Sequence, residues 1–259
     1  MLAARRLVHV INLQRMGFVS GYDVQMRYAR YHLEELAGKQ GAHGFNVILL
    51  VEHNPVYTTG IRDKIYTKEE ENNLRSKGAE FHRSNRGGLV TFHGPGQLVA
   101  YPILNLKHFH MGMRDYVCNL EKTMVNTCGY FGLKATITGD TGVWIQDRKI
   151  GAIGIHGSRY VTTHGVSLNC NTDLEWFKHI VPCGLEGKDV TSLSRELNKD
   201  VSINDTIPFF LESFKQKFDC EIDDSFLMQE HFSILPTKEN LEKVEKIYKM
   251  THTSAETEI

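Results

Sequence analysis

Residues 86–102, Arg86-Gly87-Gly88-Leu89-Val90-Thr91-Phe92-His93-Gly94-Pro95-Gly96-Gln97-Leu98-Val99-Ala100-Tyr101-Pro102, decide the fold. Five of the first eleven are Gly or Pro, yet a strand-like alternation continues on both sides. Glycine accepts positive φ and lets a ligand approach the main chain closely. One interpretation is a tight hairpin between two strands. The other is a ligand-binding floor of bare backbone with a few polar side chains.

Three further motifs follow this stretch along the chain. They are Arg148-Lys149-Ile150-Gly151-Ala152-Ile153-Gly154, Thr163-His164-Gly165-Val166-Ser167-Leu168-Asn169 and Ile180-Val181-Pro182-Cys183-Gly184. Together with the Gly-rich stretch they resemble, in order, the signature of the lipoyl(octanoyl) transferase family. Several ordered motifs are far more specific than one Gly-rich stretch. The resemblance covers roughly residues 7 to 220 and is closest to the eukaryotic, mitochondrial branch of that family.

The resemblance implies an α+β fold like the catalytic domain of biotin/lipoate protein ligases, with a mixed β-sheet flanked by helices. The order of elements agrees, because helices alternate with blocks of consecutive strands rather than in regular βαβ units. Residues 1–220 are expected to form the octanoyltransferase catalytic domain. Residues 221–259 are polar and are expected to be a partly disordered C-terminal extension.

Local patterns place several elements. Ser20 is expected to cap a helix that ends at Gly38, and residues 46–52 are expected to form a buried strand. A second helix is expected over residues 114–128, followed by consecutive strands over residues 135–169.

Composition excludes several classes of function. The chain has 259 residues and a net charge of −1, so no overall field attracts it to nucleic acid, and no apolar run reaches the length of a membrane span. Its five cysteines are odd in number and form no Cys-x-x-Cys pair, which argues against a disulfide framework or a zinc site. Arg5, Arg6 and Arg15 precede the first acidic residue, Asp23, as in a transit peptide. A mitochondrial matrix location is expected mainly from the family branch.

Cys183 is the candidate nucleophile. It lies between Pro182 and Gly184, so it is expected to occupy a turn, and the family's acyl-carrying cysteine lies in this loop. From the residues alone any of the five thiols could serve, and Cys118, Cys128, Cys170 and Cys220 are interpreted as structural. The resemblance assigns Lys149 the task of lowering the pKa of the Cys183 thiol and shuttling a proton. Without the family resemblance, Lys149 would be interpreted as a solvated hairpin lysine.

Three segments are expected to line an acyl-binding site. Their residues are Arg86, Gly87, Gly88, Leu89, Val90, Thr91, Phe92 and His93, then Ala152, Ile153 and Gly154, then Gly165, Val166 and Ser167. Small residues in all three leave room for a chain, although tight strand packing would need them too. His93 is expected to bind near the thioester and not to transfer protons, and the alternative is a purely structural histidine. Arg86 either orients the motif or faces an acidic partner. His164 is expected to contact the residues that line the site and not the ligand itself.

The implied reaction moves an octanoyl group from octanoyl-acyl carrier protein, through a cysteine thioester, to a lysine amine of a lipoyl domain. Acceptors would include the glycine cleavage H protein and the dihydrolipoyl acyltransferase subunits of 2-oxoacid dehydrogenases. No cofactor, metal or ATP is expected. The alternatives are an ATP-dependent lipoate or biotin ligase, an acyl thioester hydrolase, and an adaptor that only holds the carrier.

Overall fold

The fold is built around the apolar first part of a central strand. Val47–Val51 is buried throughout, and its side chains alternate between two hydrophobic clusters on opposite faces of a sheet. The computed structural model describes residues 6–62, 66–180 and 188–224. Within these residues the strands are β1 (Leu7–Met16), β2 (Val47–His53), β3 (Val56–Thr59), β4 (Glu80–Arg83), β5 (Thr91–His93), β6 (Gln97–Ile103), β7 (Thr136–Ile137), β8 (Val143–Ile145), β9 (Arg148–Ser158), β10 (Val161–Asn169), β11 (Asp189–Val190) and β12 (Glu221–Asp223).

The longer helices of the described residues pack on both faces of the large sheet. The helices are α1 (Phe18–Leu36), α2 (Lys68–Ser76), α3 (Met113–Tyr130), α4 (Leu193–Leu197) and α5 (Ile203–Phe218), with short 3₁₀ turns at Leu106–Phe109 and Leu174–His179. The expectation that Ser20 caps α1 is wrong. The helix begins at Phe18, after Gly17, which has no capping side chain. The Phe18 ring is buried against His53, and this packing positions the start of the helix.

The large sheet is mixed, as expected. Its strand order in the described residues is β12-β1-β2-β6-β10-β9-β8-β7, and β11 joins β9 at one side. The β12/β1, β1/β2 and β11/β9 pairs are parallel, while β2, β6, β10, β9, β8 and β7 pair antiparallel in turn. β12 lies just beyond the predicted domain boundary at residue 220. The rest of the predicted C-terminal extension, from residue 225, lies outside the described residues.

The Gly-rich stretch is not a hairpin, so that interpretation is wrong. β5 pairs with β3 in a small sheet of order β4-β3-β5, whereas β6 pairs with β2 and β10 in the large sheet. A turn joins the two strands, closed by Gln97 N–H donating to the Gly94 carbonyl at 3.1 Å. Gly96 has φ +76°, and a Cβ there would lie 2.6 Å from the Asn171 side chain, so the crossing requires glycine.

The two faces of the large sheet differ. On the core face, α3 and α5 cover a cluster that includes Ile48, Leu50, Leu98 and Leu168. On the opposite face, α1 covers Val47, Leu49, Val51, Val99 and Tyr101. The small sheet lies next to the first turn of α1, where Phe18 stacks on His82 of β4. We call this second side the cleft face.

Candidate active site

The floor of the site is made by β9 and β10. Their antiparallel register sets Gly165 opposite Gly154, Val166 opposite Ile153 and Ser167 opposite Ala152. Two of the segments expected to line the site are therefore direct neighbours. Ile153 and Val166 pack towards α3 and α5, so that Ala152, Gly154, Gly165 and Ser167 leave a floor of small residues on the cleft face.

Two adjoining cavities lie over this floor. The main cavity is lined by residues of α1, the Gly-rich stretch, β6, β9 and β10: Phe18, Arg86, Gly88, Thr91, His93, Val99, Tyr101, Ala152, Ile153, Gly154, His164, Gly165, Val166 and Ser167. The lysine cavity is lined by Thr91, Gln97, Lys149, Ile150, Gly151, Ala152, Ser167, Asn169, Phe177 and Val190. Thr91, Ala152 and Ser167 line both cavities, which therefore adjoin, and we call the two together the cleft.

Lys149 faces this cleft because of a β-bulge. Trp144 pairs with Lys149 while its neighbour Val143 pairs with Gly151, which leaves Ile150 as an extra residue on β9. In a regular strand Lys149 and Ala152, three positions apart, would point to opposite faces. The bulge shifts the alternation by one, and both residues line the lysine cavity.

The Lys149 side chain is held firmly for a lysine. It is 6% exposed, its ammonium donates to the Thr141 carbonyl at 2.8 Å, and the nitrogen lies 5.3 Å from the centre of the Trp144 ring. Gly142 makes room for it: with φ +126°, a Cβ there would lie 2.5 Å from Lys149 Cε. The interpretation of Lys149 as a solvated hairpin lysine is therefore wrong.

Arg86 organises the loop between β4 and β5. Its buried guanidinium donates to the carbonyls of Gly87 and Leu89 and to both the carbonyl and the hydroxyl of Thr58. Gly154 gives it space, since a Cβ there would lie 2.8 Å from Arg86 Cδ. Of the two roles left open for Arg86, these contacts favour orienting the motif.

His93 is neutral. Gln97 donates its amide N–H groups to the Phe92 carbonyl and to Asn169 Oδ1, so its oxygen accepts from His93 Nδ1–H at 2.7 Å. Burial, assisted by His53 and Arg86, lowers the pKa of His93 to about 3. Such a ring is a weak base near neutral pH, which agrees with the expected binding role.

The other predicted residues divide between the cleft and the packing around it. Gly88, with φ +92°, and Thr91 line the main cavity. Gly87 N–H donates to the Ile155 carbonyl at 2.9 Å and docks the loop on β9, and Leu89 contributes the carbonyl that Arg86 binds. Val90 and Phe92 pack in the core of the small sheet, where the Phe92 ring stacks on Trp176. His164 lines the cavity and contacts Asn85 through Nε2.

Comparison with known proteins gives this arrangement a family. Residues 22–215 match the model of the lipoyl protein ligase A/B catalytic domain. The chain is 50% identical over 222 residues to the mitochondrial octanoyl-[acyl-carrier-protein]:protein N-octanoyltransferase of Danio rerio, covering 86% of this chain and 97% of that protein. It is 42% identical over 220 residues to the human protein of the same name, covering 83% and 95%. The chain belongs to the octanoyltransferase family.

Solved structures confirm the fold expected for an octanoyltransferase. A lipoate-protein ligase A bound with ATP superposes with a TM-score of 0.63 at 15% identity, covering 83% of this chain and 87% of that one. A bipartite lipoate protein ligase from Thermoplasma acidophilum gives 0.60 at 17% identity, covering 85% of both chains. The mixed sheet with flanking helices is thus the biotin/lipoate ligase-like architecture.

The octanoyltransferase thiols fall into two groups. Cys128, Cys170 and Cys220 are buried in the cluster under α3 and α5, and burial raises their pKa values to about 12, 11 and 12. They remain protonated at neutral pH. Cys118 is partly exposed on α3. Cys183 lies outside the described residues, between the 3₁₀ turn that ends at His179 and β11.

Sequence reasoning missed several contributors to the cleft, including Phe18, Val99 and Gly142. Phe18 and Val99 line the main cavity, and Gly142 makes room for Lys149. Gly142 lies in the loop before β8, where a Gly gives no hint of which side chain it accommodates. In the described ranges, no group of three or more His, Cys, Asp or Glu could hold a metal ion, and no helix is long and apolar enough to cross a bilayer.

Proposed function

We propose that this octanoyltransferase works in two steps, with Cys183 carrying the octanoyl group and Lys149 providing the positive charge and the proton shuttle. The observation that carries the proposal is the placement of Lys149. A bulge and a glycine position its buried ammonium at one end of a cleft floored by small residues.

The activity itself follows from the family. The protein is an acyltransferase that transfers octanoyl groups in protein lipoylation, and it is mitochondrial, as its named relatives are. It takes an acyl donor and serves lipoyl-domain acceptors. The finer assignments are part of the proposal: the donor is octanoyl-acyl carrier protein, the acceptors include the glycine cleavage H protein and dihydrolipoyl acyltransferase subunits, and the compartment is the matrix.

In the first step the Cys183 thiolate attacks the carbonyl carbon of the donor thioester. A new carbon–sulfur bond forms, the bond to the carrier sulfur breaks, and the carrier leaves as a thiolate that takes a proton from the Lys149 ammonium. In the second step the lysine amine of the lipoyl domain attacks the acyl-enzyme. A carbon–nitrogen bond forms, the Cys183 thiolate is released, and Lys149 accepts the proton that the amine loses.

The electrostatic demand of this scheme is modest. A free thiol with a pKa near 8.5 is only about 3% ionised at pH 7, and lowering its pKa to about 7 requires about 2 kcal/mol. One ammonium about 4 Å away offers up to roughly 4 kcal/mol at an effective dielectric of 20. A single lysine is sufficient, and because a thioester becomes an amide, no ATP is needed.

The floor suits the acyl chain. Ala152, Gly154, Gly165 and Ser167 project little into the cleft, so a methylene chain can lie on the strands. Burying about six methylenes contributes roughly 5 kcal/mol. We assign stabilisation of the oxyanion of each tetrahedral intermediate to backbone N–H groups of the glycine-rich segments.

The test is intact-mass spectrometry of the purified protein with octanoyl carrier protein and no ATP. Wild type should gain one octanoyl group and pass it to an added lipoyl domain, whereas Cys183→Ser should gain no thioester. Cys118→Ser is the matched control and should behave as wild type. Retention in Cys183→Ser of an octanoyl thioester, identified by its cleavage with hydroxylamine at neutral pH, would overturn the assignment of Cys183.

The same assay separates the other candidate functions. An absolute requirement for ATP would indicate a ligase. Release of free octanoate in place of acylated lipoyl domain would indicate a hydrolase. Carrier binding without any acyl-enzyme or product would indicate an adaptor.

A further inference from the structure

Phe18 is the aromatic wall of the main cavity that sequence reasoning did not reveal. It is the first residue of α1, and its ring is 6% exposed. The ring stacks against His82 with centroids 5.4 Å apart and meets His53 at 5.8 Å. Helix α1 thereby contacts the small sheet through His82 and contributes Phe18 to the lining of the main cavity.

The cleft has a direction. Lys149 lines one cavity and Phe18 lines the other, and the shared residues Thr91, Ala152 and Ser167 lie between them. A chain whose carbonyl reacts near Lys149 therefore runs over Ala152 and ends towards Phe18. Apolar Val99 lines the same cavity as Phe18.

The polar groups near Phe18 are already engaged. The Tyr101 hydroxyl donates to His53 Nε2 at 2.8 Å, and His53 Nδ1–H donates to the Met16 carbonyl. Burial lowers the pKa of His53 to about 4, so the ring is neutral at physiological pH. Phe18 and Val99 are apolar residues in the lining of the main cavity, and the neutral His53 ring lies against Phe18, so this end suits a terminal methyl group better than a polar one.

The walls of the main cavity differ in the size of the side chains that they present. Ala152, Gly154, Gly165 and Ser167 on the floor are small, whereas Phe18 presents a large side chain from α1. The size of residue 18 can therefore change the length of the cavity without rebuilding the sheet.

We propose that Phe18 ends the acyl-binding cleft and sets the longest acyl chain that the enzyme transfers. The inference rests on the proposed function, which places the reacting carbonyl near Lys149. Each further methylene must occupy the space of the Phe18 ring, so chains longer than octanoyl are rejected by steric conflict.

The experiment compares octanoyl, decanoyl and hexanoyl carrier proteins as donors and measures acylated lipoyl domain. Phe18→Ala should raise the ratio of decanoyl to octanoyl kcat/KM by about tenfold, the value expected when two more methylenes become buried. Phe18→Trp should shift preference the other way, towards hexanoyl. If Phe18→Ala folds poorly, Phe18→Leu gives a smaller change in the same direction.

Phe109→Ala is the matched control. Phe109 is also 6% exposed, but it belongs to the cluster on the core face, so its loss should lower stability and leave the chain-length ratio unchanged. An unchanged ratio in folded Phe18→Ala and Phe18→Leu would overturn the inference. Because the assay counts product, a failure of the Cys183 assignment appears separately, as absence of the acyl-enzyme in the mass spectrum.

Discussion

The two faces of the large sheet carry the same strands but different kinds of residue. On the core face, large apolar side chains such as Leu50, Leu98 and Phe214 fill the space under α3 and α5. On the cleft face, β9 and β10 present small residues such as Ala152, together with one buried cation, Lys149. Close packing stabilises one face, and small residues that leave space create the site on the other.

Removing the Lys149 charge should give the largest functional effect. Lys149→Met keeps most of the length of the side chain, so we expect kcat/KM to fall between about 100- and 10,000-fold while the free energy of unfolding changes little. Steady-state kinetics and urea unfolding measure the two. Lys188→Met is the control, because Lys188 also lies over the Trp144 ring, at 4.8 Å, and is more exposed. Equal losses in both variants would contradict the assignment.

A substitution on the core face should lower stability and leave activity nearly unchanged. Phe214 is fully buried and stacks on Phe218 with centroids 4.0 Å apart. Phe214→Ala should lower the free energy of unfolding by about 3–5 kcal/mol through lost burial and a cavity. Activity per folded molecule, measured at low temperature, should stay within about twofold of wild type. A selective loss of kcat would mean that the two faces are not independent.

Gly142 tests whether space on the cleft face is functional. Gly142→Ala places a Cβ against Lys149 Cε, so the ammonium must move, and kcat should fall by about 100-fold. Gly139→Ala is the matched control, because Gly139 lies in the same loop, its φ is outside the left-handed region, and an added Cβ would meet nothing within 4 Å. Restored activity from a short exogenous amine would support displacement of the lysine. Wild-type kcat in Gly142→Ala would refute this role.

The smallest effect concerns pH. Burial lowers the pKa of His53 to about 4, below the ordinary value near 6.5. Between these values the unfolded chain binds a proton that the folded protein does not, so stability is fully present above about pH 6.5 and is lost as the pH falls towards 4. We expect this residue to account for about 2 kcal/mol of the loss in unfolding free energy from about pH 7 to about pH 5.

His53→Gln should flatten that pH profile, as measured by urea unfolding at about pH 7 and about pH 5. His179→Gln, at an exposed position on the 3₁₀ turn, should leave the wild-type profile unchanged. Parallel profiles for wild type and His53→Gln would exclude His53 as a source of the acid sensitivity.

Much of the fold is predictable because its signals are local. The apolar run of β2, the helical spacing of α3 and the strands of residues 135–169 predict their elements to within a few residues. The Gly-rich stretch is harder. A turn between two strands looks the same in sequence whether the strands pair with each other or, as here, with different sheets.

Some features of the candidate site are likewise evident from the sequence, and others only from the structure. The amino-acid sequence by itself determined the family, the small residues of the floor and the lysine, because these are properties of residue type and order. Only the tertiary structure decided that Lys149 shares a face with Ala152, that Gly142 accommodates it and that Phe18 lines the main cavity. The direction of a side chain after a bulge, and the contact of residues far apart in the chain, depend on pairing register and packing, which no local pattern encodes.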